Sequence, residues 1–280
     1  MKVLQAEFMG FCFGVQNAVS IVNREISKKS NNIQILGPIV HNPQQIAVFE
    51  KAGVKTIESV SEATPGVLII RAHGVPPKVL NEALSRKDLT VIDATCPLVK
   101  LEQNYAKQLF EDGYKVIIIG EKNHPEAIGV KGYANDEAII IENEEQAEQF
   151  PFSSQKLGVV VQTTMLPSKV EGIVKKIFEK SVEIRIYNTI CNPTKQHHPS
   201  AIKVANQSDV MIVIGGKNSS NTKRLAELCS SIKPTHHIEG VDEIKKEWFK
   251  GAKVVGVTAG TSTPDFVIKE VVYYLEKMKV

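Results

Sequence analysis

Three cysteines stand at equivalent points of the sequence, and they are the residues best suited to bind a metal. Cys12, Cys96 and Cys191 each close a strand-like run and open a helix-like segment, and they divide the chain into near-equal thirds. A closed zinc site uses four protein ligands, and disulfides need cysteines in pairs. Three thiolates therefore predict a metal centre with one coordination position open to substrate.

The kind of metal centre stays open between two possibilities on these residues alone. Three thiolates and an open position suit a [4Fe-4S] cluster with one iron left for substrate, or a three-ligand zinc. All-thiolate ligation without a Cys-x-x-Cys pair favours iron and sulfur. Each of the three cysteines precedes a helix whose N-terminus can lower the thiol pKa. The fourth cysteine, Cys229, lies in a helical pattern and is predicted to be a small buried hydrophobic residue.

Two further sets of polar loops recur in register with the cysteines. They carry histidines, hydroxyls, one amide and one carboxylate: His41, His73, His124, Glu126, Thr163, Thr164, Ser219, Ser220, Asn221 and Ser262. Imidazoles, amides and hydroxyls without a cluster of Lys or Arg suit a phosphate that is held by hydrogen bonds, each contributing roughly 1.5–3 kcal/mol. No Walker-type loop or Gly-x-Gly-x-x-Gly motif is present, so a nucleotide is not indicated.

Glu126 is the only carboxylate at the recurring loop positions. Beside a metal centre and an anionic ligand, its expected role is to deliver protons. The alternative is a structural one, in which the carboxylate caps a helix that begins at Pro125. Two histidine pairs, His197-His198 and His236-His237, do not recur in the other thirds. We expect them at the surface or at helix ends, with Pro199 in the first turn of a helix and the second pair in a loop.

The elements that must position these loops are short apolar strands alternating with amphipathic helices. In each third the order is strand, cysteine, helix, strand, polar loop, helix, strand, polar loop. This order predicts an α/β fold of three repeats, 1–96, 97–191 and 192–280, with parallel sheets covered on both faces. Ligands of such sheets bind beyond the carboxyl ends of the strands, which is where all nine polar loops fall.

Composition and charge exclude several functional classes. The chain of 280 residues is 42% hydrophobic and carries a net charge of +3, which is too small for the basic surface of a nucleic-acid binder. No apolar run is long enough to span a membrane, and Gln5 and Glu7 interrupt the first apolar stretch, so a signal peptide is not expected. Four cysteines without secretory features predict a reducing compartment, the cytoplasm.

Eight motifs in order along the chain resemble 4-hydroxy-3-methylbut-2-enyl diphosphate reductase, an enzyme family of the non-mevalonate isoprenoid pathway. They are GFCFGV at 10–15, VHNP at 40–43, AHGV at 72–75, DATCP at 93–97, NHPE at 123–126, QTT at 162–164, KNSSN at 217–221 and STPD at 262–265. The resemblance implies a trefoil of three α/β domains around a central [4Fe-4S] cluster. Cys12, Cys96 and Cys191 would bind three irons, and the fourth would bind the allylic hydroxyl of the substrate.

The resemblance also implies the roles of the remaining residues. Two electrons from a ferredoxin- or flavodoxin-like donor, with protons routed through Glu126, would remove the hydroxyl as water and yield isopentenyl and dimethylallyl diphosphate. Thr163 would assist Glu126 and contact the hydroxyl. The diphosphate would be held by His41, His73, His124, Ser219, Ser220, Asn221 and Ser262. The substrate is thus a small allylic diphosphate, with no nucleic acid or membrane as partner.

The sequence departs from the family pattern at a few places. His197 and His198 stand where the family usually has Arg or Asn followed by Gln, which puts in doubt the hydrogen bonds near the third cysteine. Asn17 replaces a usual basic residue, and Thr261 stands where Ala is common.

Two rival functions fit part of the sequence. One is a quinolinate synthase-like condensation on a three-cysteine cluster, and it would not predict His124-Pro125-Glu126 together with Asn218-Ser219-Ser220-Asn221. The other is a non-catalytic module that binds phosphate or zinc.

Overall fold

The computed structural model describes residues 1–151 and 156–278. Its strands are β1 (Lys2–Gln5), β2 (Ile33–Leu36), β3 (Lys55–Ile57), β4 (Gly66–Ile70), β5 (Leu89–Asp93), β6 (Lys115–Ile119), β7 (Ile139–Ile141), β8 (Lys156–Val161), β9 (Glu183–Tyr187), β10 (Val210–Ile214), β11 (Thr235–Ile238) and β12 (Val254–Ala259). Its α-helices are α1 (Phe13–Ser27), α2 (Pro43–Lys51), α3 (Pro77–Ser85), α4 (Pro97–Glu111), α5 (Pro125–Tyr133), α6 (Glu144–Gln149), α7 (Pro167–Phe178), α8 (Asn192–Asn206), α9 (Ser220–Ser230) and α10 (Asp265–Lys277). None of the helices in the described part of the chain is both long and apolar enough to cross a bilayer.

The strands form three four-stranded sheets with one shared topology. Strand order is β3-β2-β4-β5 in the first sheet, β7-β6-β8-β9 in the second and β11-β10-β12-β1 in the third. Every pairing within these sheets is parallel. The predicted α/β fold of three pseudo-repeats with parallel sheets is therefore confirmed. Each sheet also has an edge strand, β3, β7 or β11, which the repeat analysis did not identify.

The first strand of the chain pairs with the last one. β1 lies beside β12 in the third sheet, with Lys2 opposite Val254 and Gln5 opposite Val257. The strand expected directly before Cys12 thus lies earlier in the chain than predicted, since it ends at Gln5 and a loop follows. Each sheet ends with the strand that precedes a cysteine, and the third sheet takes this strand from the N-terminus. The repeat boundaries at 96 and 191 stay a proposal.

The chain divides into two compact units. Unit 1 comprises Met1–Gln16, Val40–Lys51 and Asn192–Val280, and unit 2 comprises Asn17–Ile39 and Ala52–Cys191. The third sheet belongs to unit 1, together with α2, α8, α9 and α10. The first and second sheets belong to unit 2, together with α3 to α7. The division of the chain falls within α1.

Both faces of the sheets are buried, as near-continuous apolar strands predict. In β10 of unit 1, Ile212 packs in the core cluster under α10, whereas Met211 and Val213 pack in the cluster under α8 and α9. In β6 of unit 2, Ile117 and Ile118 likewise belong to opposite clusters. Because side chains alternate across a strand, each strand contributes to two hydrophobic layers, and its carboxyl end is held rigidly between them.

Two of the expected histidine and proline positions are wrong. His236 and His237 lie in β11 and not in a loop, because they extend the third sheet as its edge strand. Pro199 lies inside α8 and not in its first turn, because this helix already begins at Asn192, directly after Cys191.

The buried face of α4 predicts a difference between two leucines on this helix. Leu109 is fully buried among residues of β6 and β8, whereas Leu101 is 43% exposed. Leu109→Ala should lower the free energy of unfolding by about 3 kcal/mol, since it removes buried methyl groups and leaves a cavity. Leu101→Ala should change it by less than about 1 kcal/mol. Chemical denaturation checks both values, and equal losses would contradict the described packing of α4.

Candidate functional site

The three cysteines occupy the same backbone position relative to their sheets. The Cys96 N–H donates to the carbonyl of Ala72 at 2.9 Å, and the Cys191 N–H donates to the carbonyl of Thr163 at 2.9 Å, both within unit 2. Within unit 1, the Cys12 N–H donates to the carbonyl of Thr261 at 3.2 Å. Each cysteine loop is thereby joined by a backbone hydrogen bond to the polar loop that follows the neighbouring strand. The equivalence that the sequence repeat predicts is present in the backbone.

The sulfur atoms of the repeat differ from that of the fourth cysteine. Cys12, Cys96 and Cys191 are partly accessible, whereas Cys229 is fully buried in the core of unit 1. Burial raises the pKa of the Cys229 thiol to about 12, which fits its predicted role as a small hydrophobic residue. Burial also raises the pKa of the Cys96 thiol, although the N–H groups of Leu98 and Val99 in the first turn of α4 oppose this shift. The expected lowering by the helix is therefore outweighed at Cys96.

In unit 2, both oxygens of the Glu126 carboxylate accept hydrogen bonds from Thr163. The Thr163 backbone N–H donates to Oε1 of Glu126 at 2.6 Å, and the Thr163 hydroxyl donates to Oε2 at 3.0 Å. Both side chains are buried, and the exposed fraction of Glu126 is only 2%. Two donors from one residue fix the plane of the carboxylate, and Thr163 also binds Cys191 through its carbonyl. The Glu126 carboxylate and the backbone of Cys191 are thus both hydrogen-bonded to a single residue.

His124 fills the capping position of α5, which leaves the Glu126 carboxylate available. Nδ1 of His124 accepts the Glu126 backbone N–H at 3.2 Å. A neutral ring then carries its proton on Nε2, which is a donor for an anionic group. The carboxylate of Glu126 reaches Thr163 and not a free N–H of its own helix, so the helix-cap alternative for Glu126 is wrong. The ring of His73 lies edge-on to that of His124, with 5.5 Å between centroids.

In unit 1, the start of α9 gathers the predicted anion-binding residues. The Ser219 hydroxyl caps α9 by accepting the N–H of Thr222 at 3.3 Å. The Ser262 hydroxyl lies 3.3 Å from the Ser219 hydroxyl and 3.4 Å from the carbonyl oxygen of His41. Ser220 is buried beside them in the first turn of the helix. The N-terminus of a helix favours negative charge, so this arrangement suits a phosphate.

Asn221 and the glycine before this turn also suit a ligand in unit 1. The Asn221 side chain is 3% exposed, and neither its oxygen nor its nitrogen has a hydrogen-bond partner among the described residues. Buried polar groups are normally satisfied, so a polar ligand fits here. A side chain at Gly216 would collide with the carbonyl oxygen of His41. Only glycine permits this close approach of the two loops.

The predicted site residues fall into two groups. Unit 2 contains Cys96, Cys191, His73, His124, Glu126 and Thr163, and unit 1 contains Cys12, His41, Ser219, Ser220, Asn221 and Ser262. One further residue, Glu102 of α4, is fully buried in unit 2 and was not identified from the sequence. The sequence feature that could have indicated its burial is its position in the apolar stripe of α4 formed by Val99, Ala106 and Leu109.

The expectation that His197 and His198 lie at the surface is wrong. Both rings are 6% exposed, because this face of α8 packs against α9 and β12. Burial lowers the pKa of His198 and, together with the neighbouring His197 and Arg224, brings it to about 4. Burial lowers the pKa of His197 as well. Two neutral imidazoles therefore stand in the interior of unit 1.

Comparison with known proteins gives consistent relatives. The family model described as LytB protein matches residues 3–276. A 4-hydroxy-3-methylbut-2-enyl diphosphate reductase from Geobacter metallireducens is 44% identical over 273 residues, which is 97% of this chain and 96% of the relative. The enzyme of the same name from Caldanaerobacter subterraneus is 43% identical and covers 100% of this chain and 98% of its own length.

Two solved structures have the same architecture. One is described as (E)-4-hydroxy-3-methyl-but-2-enyl diphosphate reductase, the terminal enzyme of the non-mevalonate pathway. It is 40% identical with a TM-score of 0.73, over 99% of this chain and 100% of that one. The other is the E-1-hydroxy-2-methyl-but-2-enyl-4-diphosphate reductase of Plasmodium falciparum. It is 30% identical with a TM-score of 0.92, over 99% of this chain and 88% of that one.

The buried histidines predict a pH-dependent stability. The folded pKa of His198 lies near 4 and its ordinary value is 6.5, so the unfolded chain takes up the proton first as the pH falls. The contribution is present above pH 6.5 and is lost between about 6.5 and 4, at a cost on the order of 3 kcal/mol. His198→Gln should flatten the dependence of unfolding free energy on pH in this window, while His236→Gln, at a more exposed ring, should alter it less. Identical slopes for wild type and His198→Gln would refute the assignment.

Proposed function

This chain belongs to the LytB protein family, and on that premise we propose that it converts 4-hydroxy-3-methylbut-2-enyl diphosphate into isopentenyl and dimethylallyl diphosphate. Its relatives make it an oxidoreductase, a reductase of the non-mevalonate isoprenoid pathway. The reaction takes two electrons and two protons, breaks one C–O bond, forms one C–H bond and releases the oxygen as water.

The donor set fits an iron–sulfur cluster. Three partly accessible sulfur atoms stand at equivalent backbone positions, while the fourth cysteine is buried in the core. We propose that Cys12, Cys96 and Cys191 bind a [4Fe-4S] cluster through their thiolates. When bound, such a cluster supplies electrons and one iron without a protein ligand, which acts as a Lewis acid on the substrate hydroxyl. Cys229 has no part in this ligation.

Hydrogen-bond donors that suit a diphosphate occur in each unit. In unit 1 the donors are the hydroxyls of Ser219, Ser220 and Ser262, the amide of Asn221 and the imidazole of His41. In unit 2 they are His73 and His124. We propose that these residues bind the diphosphate with few formal charges. The capped N-terminus of α9 supports this role, as does the Asn221 side chain, which has no hydrogen-bond partner among the described residues.

The observation that carries the proposal is the bonding between Glu126 and Thr163. Glu126 is a buried carboxylate whose two oxygens accept hydrogen bonds from Thr163, and Thr163 is also bound to the loop of Cys191, which supports a role in proton transfer to the departing hydroxyl. We propose that Glu126 protonates the leaving oxygen and that Thr163 orients both the carboxylate and the hydroxyl. A core carboxylate without such a role would be a costly placement.

The electrons must come from a separate protein. Within this proposal the donor is a small one-electron carrier of the ferredoxin or flavodoxin type, and the enzyme works in the cytoplasm, where thiols remain reduced.

Anaerobic purification and turnover test this function. Wild type should contain iron and sulfide near four each per chain and should reduce the allylic diphosphate with a strong one-electron reductant. Glu126→Gln should retain the cluster and lose about 10²–10⁴ in kcat, because the amide cannot deliver a proton. Glu137→Gln, at an exposed carboxylate, is the control. A cluster-containing protein that forms no isopentenyl diphosphate, or a colourless zinc protein, would refute the assignment.

Cysteine variants test the ligand set separately. Serine in place of Cys12, Cys96 or Cys191 should cut the bound iron and sulfide to less than about half, since serine replaces a thiolate ligand. Cys229→Ala should keep both contents at the wild-type level. Metal analysis of the anaerobically isolated variants checks this, and an equal loss in Cys229→Ala would contradict the proposed ligands.

A further inference from the structure

A glutamate follows the outer edge strand of each sheet, and no role proposed above accounts for it. Four residues later a second side chain accepts the backbone N–H of this glutamate. The pairs are Glu58 with Glu62 at 3.3 Å after β3, Glu142 with Gln146 at 2.9 Å after β7, and Glu239 with Glu243 at 2.7 Å after β11. Because the element occurs once per sheet, at the end of the equivalent strand, it belongs to the same repeat as the cysteine loops.

In unit 1 the carboxylate of Glu239 binds the turn that leads into α9. Its Oε1 accepts the backbone N–H of Lys217 at 2.6 Å. Lys217 is the second residue of a turn that closes when the Ser219 N–H donates to the carbonyl of Gly216 at 3.0 Å. The carboxylate therefore holds a central peptide of the turn whose last residue caps α9. Hydrogen bonds to an ionised acceptor are roughly twice as strong as those between neutral groups.

The turn before α5 in unit 2 is held in the same way. Oε1 of Glu142 accepts the backbone N–H of Lys122 at 2.8 Å. Lys122 is again the second residue of its turn, which closes when the His124 N–H donates to the carbonyl of Glu121 at 3.0 Å. His124 is the cap of α5, as Ser219 is the cap of α9. Equivalent backbone atoms are thus bound in two repeats, which indicates a common role for the two carboxylates.

Glu239 is also bound to the helix that follows His41. Nε2 of Gln44 donates to the carbonyl oxygen of Glu239 at 2.7 Å, and Gln44 lies in the first turn of α2, three residues after His41. The Lys217 ammonium lies 2.9 Å from Oε2 of Glu243. The end of β11 therefore joins two segments of unit 1 that carry predicted anion-binding residues, although β11 carries none itself.

We propose that Glu239 and Glu142 are positioning residues for the diphosphate, each acting through the turn that it holds and the capping residue of that turn, Ser219 or His124. This inference rests on the proposed reductase function, which makes the diphosphate the ligand of these residues. A ligand that is held by hydrogen bonds with few formal charges depends on donors that are already in place before it binds. A turn that loses its carboxylate keeps every ligand residue and loses this preorganisation.

Hydrogen exchange followed by mass spectrometry tests the contact without ligand or turnover. In Glu239→Ala the amides of residues 216–219 should exchange about fivefold faster than in wild type, because the Lys217 N–H loses its acceptor. Glu239→Gln should stay close to wild type, since its amide oxygen accepts the same bond. The matched control is Glu58→Ala, at an exposed carboxylate that accepts no hydrogen bond from the described residues. Unchanged exchange in Glu239→Ala would overturn the proposal.

Calorimetry with inorganic diphosphate and the anaerobic holoenzyme tests the consequence for binding. Removal of a negative charge near an anion site favours the anion, so a merely electrostatic effect would lower Kd. Loss of positioning acts in the opposite direction, and Glu239→Ala should raise Kd about 10-fold. Glu239→Gln, which lacks the charge and keeps the acceptor, should bind at least as tightly as wild type, and Glu58→Ala should match wild type. A purely structural role would lower the free energy of unfolding and leave Kd of the folded protein unchanged, which would refute the inference.

The failure of this inference is distinct from the failure of the proposed function. If wild type neither binds inorganic diphosphate nor reduces the allylic diphosphate, the function is wrong, and the exchange result still decides whether Glu239 holds the turn. If wild type is active and Glu239→Ala keeps its Kd, only the positioning role is wrong. If Glu239→Ala does not fold, Glu142→Ala provides the same comparison, with faster exchange expected at residues 121–124 and a higher Kd.

Discussion

The hydrogen bonds of Thr163 are the interaction on which the arrangement of the predicted site residues in unit 2 depends. Its N–H and hydroxyl bind the two oxygens of Glu126, and its carbonyl accepts the N–H of Cys191. Thr163 follows β8, the strand that lies between those preceding Glu126 and Cys191. Each strand packs between two hydrophobic layers. The loops that carry Glu126, Thr163 and Cys191 are therefore held close to one another. The relative placement of Thr163, Glu126 and Cys191 is therefore a consequence of the order of the strands in the sheet.

The same arrangement underlies the rest of the fold. In all three sheets the site loops follow three adjacent strands, and the fourth strand, at the outer edge, carries none of the predicted site residues. Parallel pairing places the carboxyl ends at one edge of each sheet, where backbone groups of helix N-termini are available to anions. Capping by His124 and Ser219 shows how site residues also satisfy the helix ends. Each of these two side chains therefore caps a helix and also belongs to the predicted site.

Sequence patterns predicted the repeats, the sheets and the loops, because apolar strands and amphipathic helices have distinct periods. They failed where tertiary packing decides the environment. His197 and His198 looked like surface residues, since local sequence does not report that their face of α8 packs against α9 and β12. The burial of Glu102 was not predicted, because a charged residue in a helix is usually exposed to solvent. β1 was misplaced because its partner is more than 240 residues away in sequence.

The pairing of β1 with β12 has a consequence for the order in which the protein is completed. Synthesis proceeds from the N-terminus, so β1 emerges well before its partner strand, which is made only when residues 254–259 have been added. Until then the edge of β1 is an unpaired strand, a hazard for aggregation. The Cys12 loop is hydrogen-bonded to Thr261. It therefore also acquires its native position only after this residue has been added. Assembly of any centre that needs all three thiols in their native positions therefore has to wait until Thr261 has been added.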